Sequence, residues 1–463
     1  MFFRNGILGP NLPTLLVIFA FFLHGYLAKA GFWTTAYYPG YEQDSIMPAS
    51  EIDYTAVTHI IHFSVFPNSD GTLDTSDSDI SEANSADLIS RAHSAGVKVL
   101  FCIGGANSES AFQSATSAAT LPAFINNLTN FLAVRGYDGV DIDWEPFPST
   151  DSQQYSNLVV GLRSALNAFS QPGLLTAAVE SYPPYGDSPT AEYQLYANLQ
   201  SDFDQINVMI YDLSGPYEGW VTWFNSPIYD GGYRFPSSGG LVPSANAALT
   251  NFLVNGVAPG KLGFGIPFYG YVWTDGSGPY PWSITQPRQS WTNAPTVTAY
   301  RYSDIMADYY QSNLYHWDTS AQAAYLSITN AVNTENKFIS YDDPRACQSK
   351  ISYARNHGLG GVMIFELGQD HQSGQPDPLL QAIKQALATP GQISVQPVEN
   401  DVDLSFTSIP LGAYTIQWTS DLANGNWSTL ATTNVTGLGG GIQVTDAGAL
   451  TNQTVRFYRI RSP

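Results

Sequence analysis

Asp141, Asp143 and Glu145 recur at every second position in the run Asp138-Gly139-Val140-Asp141-Ile142-Asp143-Trp144-Glu145. On a β-strand, residues i, i+2 and i+4 share one face. The interleaved Val140, Ile142 and Trp144 then face the other way, and all three favour strands. Like charges this close cannot all ionise freely, so at least one carboxyl must keep its proton to higher pH than usual. A carboxyl that stays protonated near neutrality is what a general acid needs. Asp138 has the opposite parity and precedes Gly139, so these two are structural members of the run, Asp138 a hydrogen-bonding acid at the strand entry. A calcium loop would need a turn glycine at its sixth position and a distant glutamate. Counted from Asp141 the sixth residue is Pro146, and Val, Ile and Trp fit a loop poorly.

The acids need a scaffold that presents one strand end to solvent. Apolar runs at 32–38, 58–66, 98–103, 139–144, 175–179, 205–211, 261–268 and 361–365 read as strands. Helical periodicity lies between them. Phe124, Leu128, Phe131 and Leu132 share a face before Gly136, and Tyr155, Leu158, Val159, Leu162 and Leu166 do the same after the acidic strand. Pro378 opens a last helix carrying Leu379, Leu380, Ile383 and Leu387. This alternation predicts an α/β fold, a (β/α)₈ TIM barrel over residues 31–390. A Trp-, Tyr-, Pro- and Gly-rich interval at 271–336 reads as a small insertion between the seventh strand and its helix. Residues 391–400 read as a linker, and the β-type runs of 401–463 as a small C-terminal β-sandwich. Tyr414, Ile416 and Trp418 share a strand face there, as a sandwich core or as an aromatic binding platform. In such a barrel, strand C-terminal ends face the active-site mouth, which puts Glu145 outermost, Asp143 one pleat deeper and Asp141 deeper again.

The acidic octet resembles the signature of glycoside hydrolase family 18, the chitinase family, whose pattern Asp-Gly-x-Asp-x-Asp-x-Glu is filled at every fixed position. Met209-Ile210-Tyr211-Asp212, Pro267-Phe268-Tyr269-Gly270, Tyr341-Asp342-Asp343 and the stretch Gly360 to Leu367 match further family segments in the same order. The resemblance covers roughly residues 31–388. The chain departs from the family at Cys102, where Ser is usual before x-Gly-Gly, at Phe365, where Trp is usual, and at Tyr271, where Arg often follows. The resemblance implies an α+β insertion and retaining hydrolysis assisted by the substrate's own N-acetyl group. Glu145 would protonate the glycosidic oxygen and then activate water. Asp143 would hydrogen-bond the acetamido N–H and stabilise the oxazolinium, with Asp141 sharing its proton. Tyr211 would donate to the acetamido oxygen, and Asp212 would help hold the distorted sugar. Such internal delivery contributes on the order of 7–11 kcal/mol. Phe365 would floor the reacting sugar, and Met209 would be a further substrate-binding residue.

Sugars present C–H faces that stack on aromatic rings. Trp33, Trp220 and Trp223 are therefore candidate substrate-binding residues, and Trp273, Trp282, Trp291 and Trp317 either line a groove or pack the insertion. The formal net charge of −21 argues against nucleic-acid binding and suits a neutral or cationic polysaccharide. Arg4, the apolar run 15–23 and Ala28-Lys29-Ala30 read as a secretory signal over residues 1–30, with a retained anchor as the alternative. Its removal takes away Arg4 and Lys29 and no acids, moving the formal charge to −23. Cys102 and Cys347 read as two buried thiols, or one bridge. No ligand spacing points to a metal, and no cofactor is expected. The expected protein is a secreted, monomeric chitinase acting on chitin and chito-oligosaccharides, without a membrane partner after signal cleavage. An endo-β-N-acetylglucosaminidase on N-glycans or peptidoglycan, and a non-catalytic lectin on the same barrel, are the alternatives.

Overall fold

The apolar runs close into a parallel barrel in the computed structural model. Its strands are β1 (Trp33–Pro39), β2 (His59–Pro67), β3 (Lys98–Gly105), β4 (Gly139–Trp144), β5 (Leu174–Glu180), β6 (Gln205–Met209), β7 (Leu262–Pro267) and β8 (Gly361–Phe365). They hydrogen-bond in the order β1-β8-β7-β6-β5-β4-β3-β2, and β1 pairs with β2 to complete the ring. Every residue of β4 and β7 is buried, because helices cover the outside and side chains fill the inside. The structure describes residues 32–76, 78–182, 189–277, 284–329, 336–387, 394–408, 413–421, 426–434, 440–451 and 456–461. The secretory signal with its cleavage site, Trp282 and residues 391–393 of the linker lie outside these.

The covering helices follow from the sequence pattern. Helix Ser152–Asn167 buries Tyr155, Leu158, Val159, Leu162 and Leu166 along one stripe, each side chain contributing about 1.5–3 kcal/mol. Helix Leu121–Arg135 stops at Gly136, whose φ of 82° suits glycine as a left-handed terminator. Helix Pro344–Asn356 starts from Asp343, whose side chain accepts from Ala346 N at 2.7 Å.

Between β7 and helix Pro344–Asn356 lies a five-stranded antiparallel sheet, in the order Asn293–Arg301, Tyr269–Ser277, Lys337–Tyr341, Ala323–Ile328, Tyr315–Asp318. With helix Tyr302–Asp308 it forms the α+β insertion, and its ladder runs past both expected limits of 271–336. The long segment after β6 packs on it: Val221, Trp223, Phe224 and Val242 share one core with Trp273 and Phe338.

The residues group into two compact units, one of Ala28–Lys384 and a second that includes Gln385–Pro463. In the second, sheets Ser394–Val398/Asp401–Ser408/Gly440–Asp446 and Ser428–Asn434/Ala413–Thr419/Phe457–Arg461 share a core of Val402, Leu404, Phe406, Tyr414 and Ile416. The expected linker at 391–400 is corrected here. Ser394–Val398 is an edge strand, a place where Pro397 is tolerated. Trp418 lies half-buried under the Arg456 guanidinium, 4.1 Å from the ring centroid, so its face is already covered.

Candidate active site

Parity along β4 splits the acidic run as the spacing requires. Trp144 points outward and stacks on Phe112 at 4.6 Å, also touching Phe147 and Tyr155. Asp141, Asp143 and Glu145 take the other face. Asp141 is fully buried and both its oxygens are held: Tyr37 Oη donates to Oδ2 at 2.6 Å and Thr176 Oγ1 to Oδ1 at 2.5 Å. Burial pushes its carboxyl up to about 6, and the donors Thr176, Tyr37 and Cys102 pull it back down. Asp143 is held well above the usual carboxylate range by burial, then by the charges of Glu145 and Asp141. It donates to Glu145, while its Oδ1 has no hydrogen-bond partner. Burial also raises Glu145, to about 6, with a further push from Asp212.

Asp141's two oxygens are taken by Tyr37 and Thr176, and the carboxyl whose charge acts most strongly on Asp143 is that of Glu145, ahead of Asp141. Two groups that the sequence alone did not pick out hold Glu145's backbone: Ser108 Oγ accepts from Glu145 N at 3.1 Å, and Glu109 N donates to Glu145 O at 3.1 Å. Gly104 lets β3 approach closely enough for this, since a Cβ there would lie 2.0 Å from Asp143 O. Asp138 sits apart from the trio. It accepts from Val99 N at 2.8 Å and lies 2.7 Å from both Lys98 Nζ and His93 Nε2, tying the N-terminal ends of β3 and β4 to the preceding helix.

Opposite the acids, the β6 ladder ends at Met209, two residues earlier than expected. Tyr211 and Asp212 therefore project from irregular backbone, with Asp212 at a φ of 57°. Tyr211 is buried in one cluster with Tyr37, Tyr269 and Met363, and half-buried Met209 and Phe365 pack against it. The Phe365 ring stacks at 5.8 Å on Tyr211 and also contacts Tyr37 and Phe63. The Tyr211 phenol is held protonated by burial and by the charges of Asp143 and Glu145. Among the described residues its hydroxyl donates only to Met363 Sδ, at 3.8 Å, a weak acceptor that leaves the O–H able to serve a stronger one. Asp212 is exposed toward solvent, and Oδ1 accepts from Tyr269 Oη at 2.6 Å and Tyr271 Oη at 2.5 Å. Tyr271 thus supplies a phenol where an arginine was the common expectation.

Two aromatic assignments are corrected. Trp33 opens β1, at the end of the barrel away from the mouth, donates to Asn207 Oδ1 at 3.2 Å and packs over Gly360 and Gly361. Trp223 is fully buried, donates to Pro243 O at 2.8 Å and belongs to the insertion core. Neither ring has a free face. Trp220 is half-buried between Tyr217 and Phe235, in the segment following β6. Both cysteines are free and buried, and Cys102 contributes a thiol to Asp141 rather than only filling space.

Residues 34–370 match the family model described as Glycosyl hydrolases family 18. The chain is 30% identical over 366 residues to chitinase A1 of Niallia circulans, covering 71% of this chain and 48% of that protein. It is 28% identical over 379 residues to the class V chitinase of Arabidopsis thaliana, covering 78% and 91% respectively. The chain thus spans about half the length of the first and most of the second. The barrel superposes with a TM-score of 0.63 on the Ostrinia furnacalis group IV chitinase solved with allosamidin, at 21% identity, covering 77% of this chain and 98% of that one. A family 18 N-acetylglucosaminidase from Paenibacillus barengoltzii gives the same score at 22% identity, covering 77% and 100%. At these identities the structural likeness establishes the fold.

Proposed function

The chain belongs to the glycosyl hydrolases of family 18, and from that premise we propose that it is a secreted chitinase cleaving β-1,4 linkages between N-acetylglucosamine units with retention. The nucleophile is the acetamido oxygen of the sugar bound above Phe365. Tyr211 donates its phenolic hydrogen bond to that oxygen and holds it in line. Glu145 protonates the glycosidic oxygen while the acetamido oxygen attacks the anomeric carbon, so the leaving sugar departs as the oxazolinium forms. Asp143 passes its proton to Glu145 as the sugar binds and, then a carboxylate, accepts from the acetamido N–H and stabilises the positive ring. Glu145, now a carboxylate, takes a proton from the water that opens the ring and is restored as an acid. Asp141 keeps its two oxygen-bound donors and sets the field under Asp143. No metal or redox group is needed for these steps to balance.

The observation that supports this reading most is the placement of Asp141, Asp143 and Glu145 along one face of β4 toward its C-terminal end, with the Tyr211 phenol near enough for the charges of Asp143 and Glu145 to help hold it protonated. An acid raised to about 6 and a deeper acid raised further are two carboxyls pushed apart into different roles. The named relatives are chitinases, which favours chitin as the substrate. Leader removal at the small-x-small site and action as a monomer complete the proposal. Incubation with the hexamer of N-acetylglucosamine tests it: the wild type should release shorter oligomers, and Glu145→Gln should be slower by at least about 100-fold. Tight binding of the hexamer with no turnover by the wild type would make the protein a lectin instead.

A further inference from the structure

Tyr211 and Asp212 lie beyond the last ladder bond of β6, so something other than the barrel must fix them. Fourteen residues downstream, Asn225 and Ser226 do so. Asp212 N donates to Asn225 Oδ1 at 2.8 Å, and Leu213 N donates to Asn225 O at 3.0 Å. Ser226 Oγ donates to Ile210 O. The residues on either side of Tyr211 are therefore both pinned by one dipeptide. Asn225 is itself held, its N–H donating to Ser340 Oγ at 2.8 Å. Ser226 accepts from the Lys350 ammonium at 2.6 Å, and Lys350 is paired with Asp342. Lys350 is completely buried, and Asn225, Ser226, Ser340 and Asp342 are nearly so.

We infer that Asn225, Ser226 and Lys350 are positioning residues for the reaction, forming a buried clamp that sets the Tyr211 phenol and the Asp212 carboxylate. This rests on the roles proposed above for those two groups. A buried ion pair adds little stability over a well-packed apolar pair, because desolvation offsets the attraction. What it does supply is direction. With the ammonium on its lone pairs, the Ser226 hydroxyl is left to point its hydrogen at Ile210 O, which fixes the peptide entering Tyr211. Asn225 matches the unusual backbone of Asp212, whose φ of 57° presents its N–H to the Asn225 amide oxygen. The clamp links strand Lys337–Tyr341 and helix Pro344–Asn356, which carry Ser340 and Lys350, to the irregular end of β6. In a reaction whose nucleophile belongs to the substrate, a misplaced phenol loses in-line delivery without losing the binding cleft. Misplacement by about 1 Å can cost on the order of 100-fold in rate.

The test is a double-mutant cycle on full-length enzyme with the N-acetylglucosamine hexamer, measuring kcat, KM and Tm. Ser226→Ala and, separately, Asn225→Ala should lower kcat by about 10- to 100-fold with KM changed by less than about threefold. Ser226→Thr, which keeps the hydroxyl, should recover most of the lost kcat. Tyr211→Phe combined with Ser226→Ala should be no more than about threefold slower than Tyr211→Phe alone, because the clamp acts through that phenol. Variants that only lower Tm while keeping wild-type kcat would overturn the clamp, as would multiplicative losses in the double variant. If Tyr211→Phe itself keeps wild-type kcat, the role of Tyr211 falls first, and that outcome is distinct from failure of Ser226→Ala beside an impaired Tyr211→Phe.

Discussion

Replacing Asp143 by asparagine separates the two duties of the buried acid. The substitution is nearly isosteric and keeps a hydrogen-bond donor toward Glu145, so the fold should persist. It removes the carboxylate that Asp143 becomes once its proton has passed to Glu145, and with it a charge-assisted bond to the acetamido N–H of about 1.5–3 kcal/mol, or about 10- to 150-fold in rate. It also removes the store of the shared proton. In the wild type the hydrogen bond from Asp143 lowers Glu145, so Asp143 is the member holding the proton when Glu145 titrates at about 6. The wild-type pair consequently still carries a proton above that pH. In Asp143→Asn, Glu145 must carry the proton alone. A general acid works only when protonated, so activity is present below its pKa and lost as pH rises through it. Above pH 6 the loss should be about tenfold per pH unit, leaving about 1% of the acid form at pH 8. The assay is kcat/KM on the N-acetylglucosamine hexamer from pH 4 to 9, since a sugar leaving group needs the proton. The wild-type to variant ratio should grow by about 100-fold between pH 6 and 8. A ratio constant across that range would refute the shared-proton reasoning.

Two further outcomes follow from burial. Trp223→Ala should lower stability by about 3–5 kcal/mol in denaturant unfolding while leaving KM of the folded enzyme unchanged, since that ring is fully buried; Trp220→Ala should do the reverse, raising KM with little change in midpoint. Glu366, Asp370 and Glu42 are raised by burial to about 7, 7 and 8, so their contribution to stability is complete below about pH 4 and is lost as pH rises through those values. Buried His59 and His62 are lowered, to about 4 and 3, so above pH 6.5 they no longer change the balance. Tm should therefore fall from pH 6.5 to 8.5, and Glu366→Gln should flatten that slope; a Tm that rises over this interval would contradict it.

The barrel and its acids were legible because both depend on local period. Alternation along 139–145 sorts side chains to two faces whatever surrounds them, and eight apolar runs at regular spacing leave few topologies open. Trp33 and Trp223 were misread because a tryptophan on a strand or loop looks the same whether its face meets solvent or a neighbouring core. Asn207 and Pro243, the acceptors that bury them, are 174 and 20 residues away. The end of β6 was overextended because Ile210 and Tyr211 favour strands, whereas Ser226 takes the Ile210 carbonyl and Asn225 the Asp212 N–H. The Asp143–Glu145 partnership was hidden for a similar reason: spacing puts three acids on one face but does not say which neighbour Tyr37 and Thr176 will occupy.

The central claim is that the substrate's acetamido group, positioned by Tyr211 and Asp143, is the nucleophile. Proton NMR of a digest of the hexamer, recorded before mutarotation, tests it most directly. The new reducing ends should appear first as the β-anomer, and an initial α-anomer would contradict the account.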